Sequence, residues 1–205
     1  MTLPALAGPY TPRVVLRALN PKDARELLAI VVASRAELGR FMTWPREMMD
    51  LEHARRFIAL GREGWLTERT ARFAMVQRAN GELLGTVELD NIDFRKSQGE
   101  LGYWIRSDRA GLGYTTEAAR AVLHYAFGTL ALNKVRADVA VGNSTSARVL
   151  EKLGFALEGT LREDRPIAGV FTDHWRFGML AREFSAQLTG ATHTAPPRTA
   201  AIVRR

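Results

Sequence analysis

The sequence contains no cysteine. This absence excludes a disulfide framework, a thiolate metal site and a cysteine nucleophile. The chain also lacks a run of about 18 apolar residues, so we expect no membrane-spanning segment. Residues 1–10 are apolar, but Pro4, Gly8 and Pro9 interrupt them and they lack a cationic start, which is atypical of a signal peptide. These absences favour a cytoplasmic protein with no membrane partner.

The excess of positive charge is modest. The chain has 29 basic and 22 acidic residues, a net charge of +7 that favours anionic partners. Three of these charges belong to Arg198, Arg204 and Arg205 near the C-terminus. Because no basic run with interleaved aromatic residues occurs, we expect no direct nucleic-acid binding. No spacing of His, Asp and Glu indicates a metal site.

The length of 205 residues suits about one domain. We predict a single domain over residues 1–184 and a mobile basic tail over residues 185–205. The tail prediction rests on a composition rich in Ala, Thr and Pro and on the lack of hydrophobic periodicity there.

Hydrophobic periodicity predicts an α+β fold with a mixed sheet. Strands are predicted at 13–18, 72–78, 83–92, 100–106, 135–141, 155–161 and 171–180. Helices are predicted from Pro21 onward and at 51–64, 114–128 and 143–153. Asn80-Gly81 between two apolar runs indicates a hairpin, and Gly85 a bulge or a close backbone approach. Helices separate only some of the strands, so we predict a sheet that is antiparallel at first with a β-α-β crossover later.

A glycine-rich turn follows the strand at 100–106. The segment Ala110-Gly111-Leu112-Gly113-Tyr114-Thr115-Thr116 leads into a helix, whose free N–H groups and dipole favour an anion. A nucleotide P-loop needs Gly-Lys-Ser/Thr, which is missing, and a dinucleotide fingerprint needs Gly or Ala where Thr116 stands. A pyrophosphate loop for an acyl-CoA, a dinucleotide-binding loop that departs from the fingerprint, and a simple turn capped by Thr115 or Thr116 remain open.

A second segment, residues 143–155, points to the same edge of the sheet. Asn143 lies between a strand and a helix, where it suits an N-cap, and Ser146 lies one turn further on. Both residues are expected at the mouth between two parallel strands, where ligands of such sheets bind. A helix cap and a solvated serine are the structural alternatives.

Together these motifs resemble the GNAT superfamily of acyl-CoA-dependent N-acetyltransferases, and within it the RimJ and RimL group. The resemblance runs from about Val14 to Phe184 and rests on three segments: 101–105 (LGYWI), 111–118 (GLGYTTEA) and 143–155 (NSTSARVLEKLGF). It implies a mostly antiparallel twisted sheet that is splayed at one parallel strand pair and flanked by helices. Two departures stand out. Ala110 and Thr115 differ from the usual loop pattern, and Leu150 stands where many members carry a tyrosine acid.

The resemblance implies a binding site for acetyl-CoA. It assigns the pantetheine arm and the pyrophosphate to one set of residues: Trp104, Ile105, Arg106, Arg109, Ala110, Gly111, Leu112, Gly113, Tyr114, Thr115, Thr116 and Asn143. Because Leu150 is not a tyrosine, it assigns the role of the acid to Ser146.

The chemistry of amide formation suggests the remaining roles. A neutral amine must attack a thioester, and the leaving thiolate accepts a proton. Without cysteine an acyl-cysteine intermediate is excluded; direct transfer in a ternary complex is favoured, and an acyl-serine route stays open. Glu100 and Asp138 on neighbouring strands are the candidate bases, although a solvated or paired carboxylate explains each equally well.

The acceptor is less defined by the sequence. Phe41, Trp44 and Trp175 are expected to wall the acceptor groove, with packing over the core edge as the alternative for the two tryptophans. A protein N-terminus is the leading acceptor, because its pKa of about 7.7–8.0 leaves a useful neutral fraction. A small-molecule amine and a non-catalytic acyl-CoA-binding role are the alternatives, and a homodimer is left open.

Overall fold

One twisted sheet organises the protein. The computed structural model describes residue 3 and residues 11–189. In these residues the sheet has seven strands: β1 Val14–Arg17, β2 Ala71–Gln77, β3 Leu83–Asp93, β4 Gln98–Ile105, β5 Lys134–Ala140, β6 Ala156–Ile167 and β7 Val170–Leu180. Their spatial order is β1-β2-β3-β4-β5-β7-β6. The predicted strands are therefore confirmed, with β6 longer than its apolar pattern indicates.

The sheet splits where β4 and β5, the one parallel pair within the described residues, diverge. All other neighbours pair antiparallel, whereas β4 and β5 run parallel and pair only as far as Glu100 and Arg136. Beyond that point β4 continues to Ile105 and β5 to Ala140, but the two strands no longer pair with each other. Each keeps its antiparallel partner, β3 for β4 and β7 for β5. The predicted splay at a parallel pair is confirmed, and it opens a gap in the middle of the sheet.

Helices cover both faces of the sheet. In the described chain they are α1 Ala24–Ala33, α2 Arg35–Leu38, α3 Trp44–Glu47, α4 Leu51–Leu66, α5 Tyr114–His124, α6 Ser144–Leu153 and α7 Ala181–Leu188. A short 3-10 turn, Pro21–Asp23, precedes α1, and a π-helical turn, Tyr125–Thr129, extends α5. Part of the segment expected as an aromatic loop is the short helix α3. No helix within residue 3 and 11–189 is long and apolar enough to cross a membrane.

The two faces bury separate cores. Apolar residues of α5 and α6 pack with one face of the sheet, to which Leu101 and Tyr103 of β4 belong. Those of α1 and α4 pack with the other face, to which Trp104 belongs. Successive strand residues point to opposite faces, so β4 presents Tyr103 to the α6 side and Trp104 to the α4 side.

Gly85 allows β3 and β4 to approach closely just before the glycine turn. Its φ of +153° lies in a region that favours glycine, and a Cβ there would meet the Trp104 carbonyl oxygen at 2.2 Å. The β2–β3 register shifts beside it, between Met75 and Val76. The predicted bulge with close approach is confirmed.

The C-terminal boundary differs from the prediction. Residues 185–188 belong to α7 rather than to a tail. This helix is held by Phe184, which is buried, and by Glu183, whose carboxylate accepts the Leu180 N–H at 2.9 Å. The rest of the predicted tail, residues 190–205, lies outside the described residues.

Candidate active site

A cavity of about 250 Å³ lies at the split between β4 and β5. It is lined by Met42, Trp44, Glu88, Asp90, Glu100, Leu101, Gly102, Tyr103, Trp104, Ala137, Asp138, Val139, Ser146 and Arg165. Trp44 and Trp104 pack in the core on the α4 side, whereas Tyr103 and Val139 belong to the α6 side. The cavity therefore passes through the sheet, and it brings together the three predicted catalytic residues.

Glu100 lies at the last position at which β4 pairs with β5, where the split begins. Its carboxylate forms an ion pair with Arg136 at 3.1 Å and accepts a hydrogen bond from the Asn91 side-chain amide at 3.2 Å. Both contacts reach the same oxygen, Oε2. The other oxygen, Oε1, makes none of these contacts and remains available to a donor in the cavity.

Asp138 is held by two arginines. Arg176 donates two hydrogen bonds at 2.8 and 2.9 Å, and Arg165 lies at 3.0 Å from Oδ2. The Asp138 side chain is 1% exposed. Burial alone would raise the pKa of Asp138, but the Arg176 hydrogen bond and the surrounding guanidinium charges lower it. A carboxylate with a lowered pKa is a weak base, so this geometry suits a structural ion pair better than the predicted role of base.

Two further carboxylates, not predicted from the sequence, line the acceptor side. Glu88 is ion-paired with Arg72. Asp90 accepts hydrogen bonds from the Thr70 hydroxyl at 2.5 Å and from the Asn91 N–H at 2.8 Å, and it has no recorded ion pair in the described chain. Alternation along β3 places both on the face of Glu100, a signal that was available in the sequence.

Ser146 reaches the cavity from the first turn of α6. Asn143 caps this helix, since its Oδ1 accepts the Ser146 N–H at 3.2 Å. The Tyr103 hydroxyl lies 3.0 Å from Ser146 Oγ and 3.1 Å from the Ser146 carbonyl oxygen. Burial raises the pKa of Tyr103 to about 12, against the opposing effect of its hydrogen bond with Ser146. Sequence reasoning missed Tyr103, because no local pattern links β4 to α6.

The glycine turn forms an open cradle at the N-terminus of α5. Gly111 and Gly113 have φ of +78° and +85°, and a Cβ on Gly111 would meet no atom within 4 Å. Arg13 holds the turn from behind, donating to the Leu112 carbonyl at 3.0 Å and to Glu117 Oε2 at 2.7 Å. The first N–H groups of α5 have no intrahelical partners and suit a phosphate. This space fits the predicted pyrophosphate.

The neighbouring side chains contribute unequally to this cradle. Arg106 is engaged with Asp108 at 2.7 Å, and Arg109 with Glu82 at 3.2 Å. Thr115 is buried, so only its backbone can face a ligand. Beyond Glu100, the edge of β4 that faces β5 has no strand partner. Its free backbone groups can therefore bind an extended ligand such as a pantetheine arm, by the mode in which peptides bind to sheet edges.

Of the three aromatic residues predicted to wall the acceptor groove, Trp44 alone lines the cavity among the described residues. Trp44 lines the cavity and packs against Trp104, with ring centroids 5.3 Å apart. Phe41 and Trp175 are not among the described residues that line it. Trp175 packs against the core on the α6 side, and Phe41 lies beneath the Arg40 guanidinium, 5.5 Å from it. For Trp175, the packing alternative describes the structure better than an acceptor wall.

A larger cleft of about 540 Å³ lies at the other end of β3 and β4. Half of the residues that line it are charged, and one of them, Arg136, also forms the ion pair with Glu100. Neither Ser146 nor the glycine turn borders it. The smaller cavity, rather than the larger cleft, brings together the predicted catalytic residues Glu100, Asp138 and Ser146.

Comparisons with known proteins agree with this geometry. Residues 13–156 match the family model described as Acetyltransferase (GNAT) domain. YdaF of Bacillus subtilis, named as a candidate ribosomal N-acetyltransferase, is 30% identical over 177 residues, 85% of this chain and 94% of YdaF. The ribosomal-protein-serine acetyltransferase of Escherichia coli is 23% identical over 162 residues, 77% of this chain and 87% of that protein.

A solved structure shares the fold. RimL, the ribosomal L7/L12 alpha-N-protein acetyltransferase in complex with coenzyme A, superposes with a TM-score of 0.79 at 19% identity, over 85% of this chain and 98% of that chain. The family match covers most of the domain, and the split sheet with its open glycine cradle fits the acyl donor of this family. The chain belongs to the GNAT family of acetyltransferases and is an N-acetyltransferase whose acetyl donor is acetyl-CoA.

Proposed function

We propose that this enzyme acetylates the α-amino group of a protein N-terminus. The observation that carries the proposal is the cavity through the split, which joins a carboxylate-lined acceptor side to the Ser146 hydroxyl on the other face. The names of YdaF and of the Escherichia coli relative, both of which refer to ribosomal acetylation, support a protein acceptor.

The acceptor side is suited to a cationic amine. Four carboxylates line the cavity: Glu88, Glu100 and Asp138, each ion-paired with an arginine, and Asp90, whose hydrogen bonds come from the neutral Thr70 and Asn91. The charge of Asp90, which no ion pair within the described residues offsets, attracts a protonated amine to this face before it reacts. An α-amino group loses its proton with a pKa of about 7.7–8.0, whereas a lysine needs about 10.4. The difference, on the order of 3 kcal/mol, favours the α-amine as the nucleophile near neutral pH.

Glu100 is the base in this proposal. It stands at the start of the split, and its Oε1 is available to a donor in the cavity. It removes the first proton of the ammonium and passes it to solvent. Asp138, with its lowered pKa and two arginines, instead holds β5 and β7 in place beside the cavity.

The donor is held on the other side of the split. The glycine turn at 110–116 binds the pyrophosphate through backbone N–H groups, the open edge of β4 aligns the pantetheine arm, and the side-chain amide of Asn143 contacts it. When bound, acetyl-CoA supplies a thioester whose acetyl carbon bonds to the amine nitrogen while its bond to sulfur breaks.

Ser146 completes the proton balance. Its Oγ holds a proton at the cavity for the departing sulfur, which leaves as a thiol. The nitrogen loses a second proton as it becomes an amide, and that proton replaces the one that Ser146 gives up. One ammonium and one thioester therefore become one amide, one thiol and one proton released through Glu100.

A matched pair of peptides tests the acceptor. One peptide begins with a free Ser or Ala and contains an internal Lys; the other is identical but blocked at its α-nitrogen. We expect thiol release and acetylation of the α-nitrogen, located by fragment mass spectrometry, with the free peptide only. Turnover of the blocked peptide, or of spermidine with neither peptide used, would contradict a protein N-terminus as the acceptor.

A further inference from the structure

We propose that Tyr103 is a positioning residue that turns the Ser146 hydroxyl proton toward the cavity. The inference rests on the proposed role of Ser146 as proton donor. It adds a side chain from β4, whereas Ser146 lies on α6, and the sequence predicts no catalytic or binding role for Tyr103.

The contact joins two elements on either side of the split. Tyr103 belongs to β4 and Ser146 to α6, and the Tyr103 hydroxyl lies 3.0 Å from Ser146 Oγ. Both residues line the cavity. Asn143 also contacts Ser146, but it accepts the backbone N–H and does not contact Oγ. Within the described residues, Tyr103 is therefore the side chain that hydrogen-bonds to Ser146 Oγ.

The phenol has one proton and two acceptors within reach. If it donates to the Ser146 carbonyl oxygen at 3.1 Å, Ser146 donates back to Tyr103 and its own proton points away from the cavity. If it donates to Oγ at 3.0 Å, the Ser146 proton is free to point into the cavity. The second arrangement also makes the serine a better acid, because a donated hydrogen bond stabilises the oxygen as its proton leaves.

The surroundings keep Tyr103 a donor. Its side chain is half-buried against the core on the α6 side, and burial raises the pKa of the phenol to about 12, so the phenol keeps its proton well above the neutral range. Because α6 is capped by Asn143 and closed by Gly154, the position of Ser146 relative to β4 is set by the fold. The hydrogen bond therefore exists before any substrate arrives.

A double-mutant cycle tests the coupling. The variants are Tyr103→Phe, Ser146→Ala and both together, assayed with the amine that the wild-type enzyme uses best. We expect kcat to fall about 100-fold in Ser146→Ala and about tenfold in Tyr103→Phe, with the KM for acetyl-CoA within twofold of wild type. In the Ser146→Ala background, Tyr103→Phe should cost nothing further.

A second readout needs neither substrate nor turnover. The free protein labelled with ¹³C at tyrosine Cζ gives a Tyr103 signal, assigned by its loss in Tyr103→Phe. We expect this signal to shift in Ser146→Ala, because the phenol loses its serine partner, while the Tyr125 signal stays in place. Tyr125→Phe serves as the control for loss of a buried tyrosine hydroxyl and should leave kcat unchanged.

The outcomes separate the inference from the proposed function. An additive Tyr103→Phe loss in both backgrounds, or an unmoved Tyr103 signal, would overturn the positioning role while leaving the acceptor assignment intact. Full activity in Ser146→Ala would also overturn it, since no serine proton would then be in use. Failure of the free peptide as an acceptor overturns the proposed function alone, because the cycle can be run on any amine that is turned over.

Discussion

Asp90 and Glu100 are register partners across the β3–β4 pair, and both line the cavity. Like charges directly opposite each other destabilise a sheet. Arg136 offsets the charge of Glu100, whereas Asp90 is met by the neutral donors of Thr70 and Asn91. The charge of Asp90 at the mouth of the split, uncompensated by an ion pair among the described residues, suits the ammonium group of the proposed substrate.

Neutralising Glu100 and neutralising Asp90 should therefore change different kinetic constants. Glu100→Gln removes the proposed base, and we expect kcat/KM for the amine to fall about 100-fold. Asp90→Asn removes one charge that attracts the amine, and we expect the KM for the amine to rise about fivefold with kcat nearly unchanged, equivalent to about 1 kcal/mol. Initial rates against acceptor concentration distinguish the two results.

Glu158→Gln is the matched control for this pair. Glu158 is ion-paired with Lys134 at 2.7 Å and does not line the cavity in the described chain. Its kinetics should equal those of the wild type. Equal effects of Glu100→Gln and Asp90→Asn on kcat would argue that charge in general, rather than one base, supports the reaction.

Asn143 has two roles that one substitution can separate. Its Oδ1 caps α6 through the Ser146 N–H, while Nδ2 is the group proposed to contact the pantetheine arm. Asn143→Asp keeps a good cap but loses the donor, so we expect a raised KM for acetyl-CoA with unchanged stability. Asn143→Ala loses both, and we expect the same rise in KM together with a loss of about 1 kcal/mol in the free energy of unfolding.

Measurement of both quantities for both variants decides between the roles. Urea unfolding gives the stability, and initial rates against acetyl-CoA concentration give the KM. A normal KM in Asn143→Asp would show that Asn143 acts only as a helix cap, which is the structural alternative left open by its sequence position.

Local signals explain why most of the fold was predictable. Alternation marked the strands, Asn80-Gly81 marked a hairpin, and Gly154 ended α6 in the left-handed conformation expected of a helix C-terminus. The error at residues 185–188 has a physical reason. Helix α7 is held by tertiary burial of Phe184, and tertiary packing stabilises short helices that propensity alone does not indicate.

The sequence predicts which residues lie at the site where their position along a single strand or turn places them there. Glu100, Asp138 and Ser146 border one cavity because they flank the place where β4 and β5 separate, and that follows from the topology. The partners of these residues do not follow from it. The two arginines on Asp138 come from β6 and β7, and the phenol on Ser146 comes from β4. These cross-element contacts are the basis for proposing Glu100 as the base and Asp138 as a structural ion pair.

Gly85 should be intolerant of any side chain. A Cβ there would lie 2.2 Å from the Trp104 carbonyl oxygen and 2.9 Å from the Ile105 Cα, so the backbones of β3 and β4 would have to separate. We expect Gly85→Ala to lose about 3 kcal/mol of unfolding free energy from strain and overpacking. The separation would displace residues 104 and 105, and so raise the KM for acetyl-CoA.

Gly159→Ala is the control for a strand glycine with open space. Nothing lies within 4 Å of a Cβ at that position. Its unfolding free energy should equal that of the wild type or rise slightly, since alanine loses less backbone entropy on folding. A tolerated Gly85→Ala, with normal stability and KM, would contradict the close approach of the two strands.

Asp138 should stabilise the protein in a way that depends on pH. Its folded-state pKa is lowered by Arg176 and Arg165 against the effect of burial, so the stabilisation is fully present above the unfolded pKa of about 3.9 and is lost as the pH falls through the folded value. We expect Asp138→Asn to be less stable than the wild type by about 2 kcal/mol at pH 7 and at pH 5. The difference should begin to shrink at pH 3, because the carboxylate is then protonated in the unfolded chain while its lowered pKa opposes protonation in the folded protein. Urea unfolding at the three pH values measures it, with Glu52→Gln as the control, because the Glu52 side chain is 80% exposed and its ion pair should contribute little at any pH. A gap that stayed constant down to pH 3 would mean that Asp138 stabilises the fold through packing rather than through its charge.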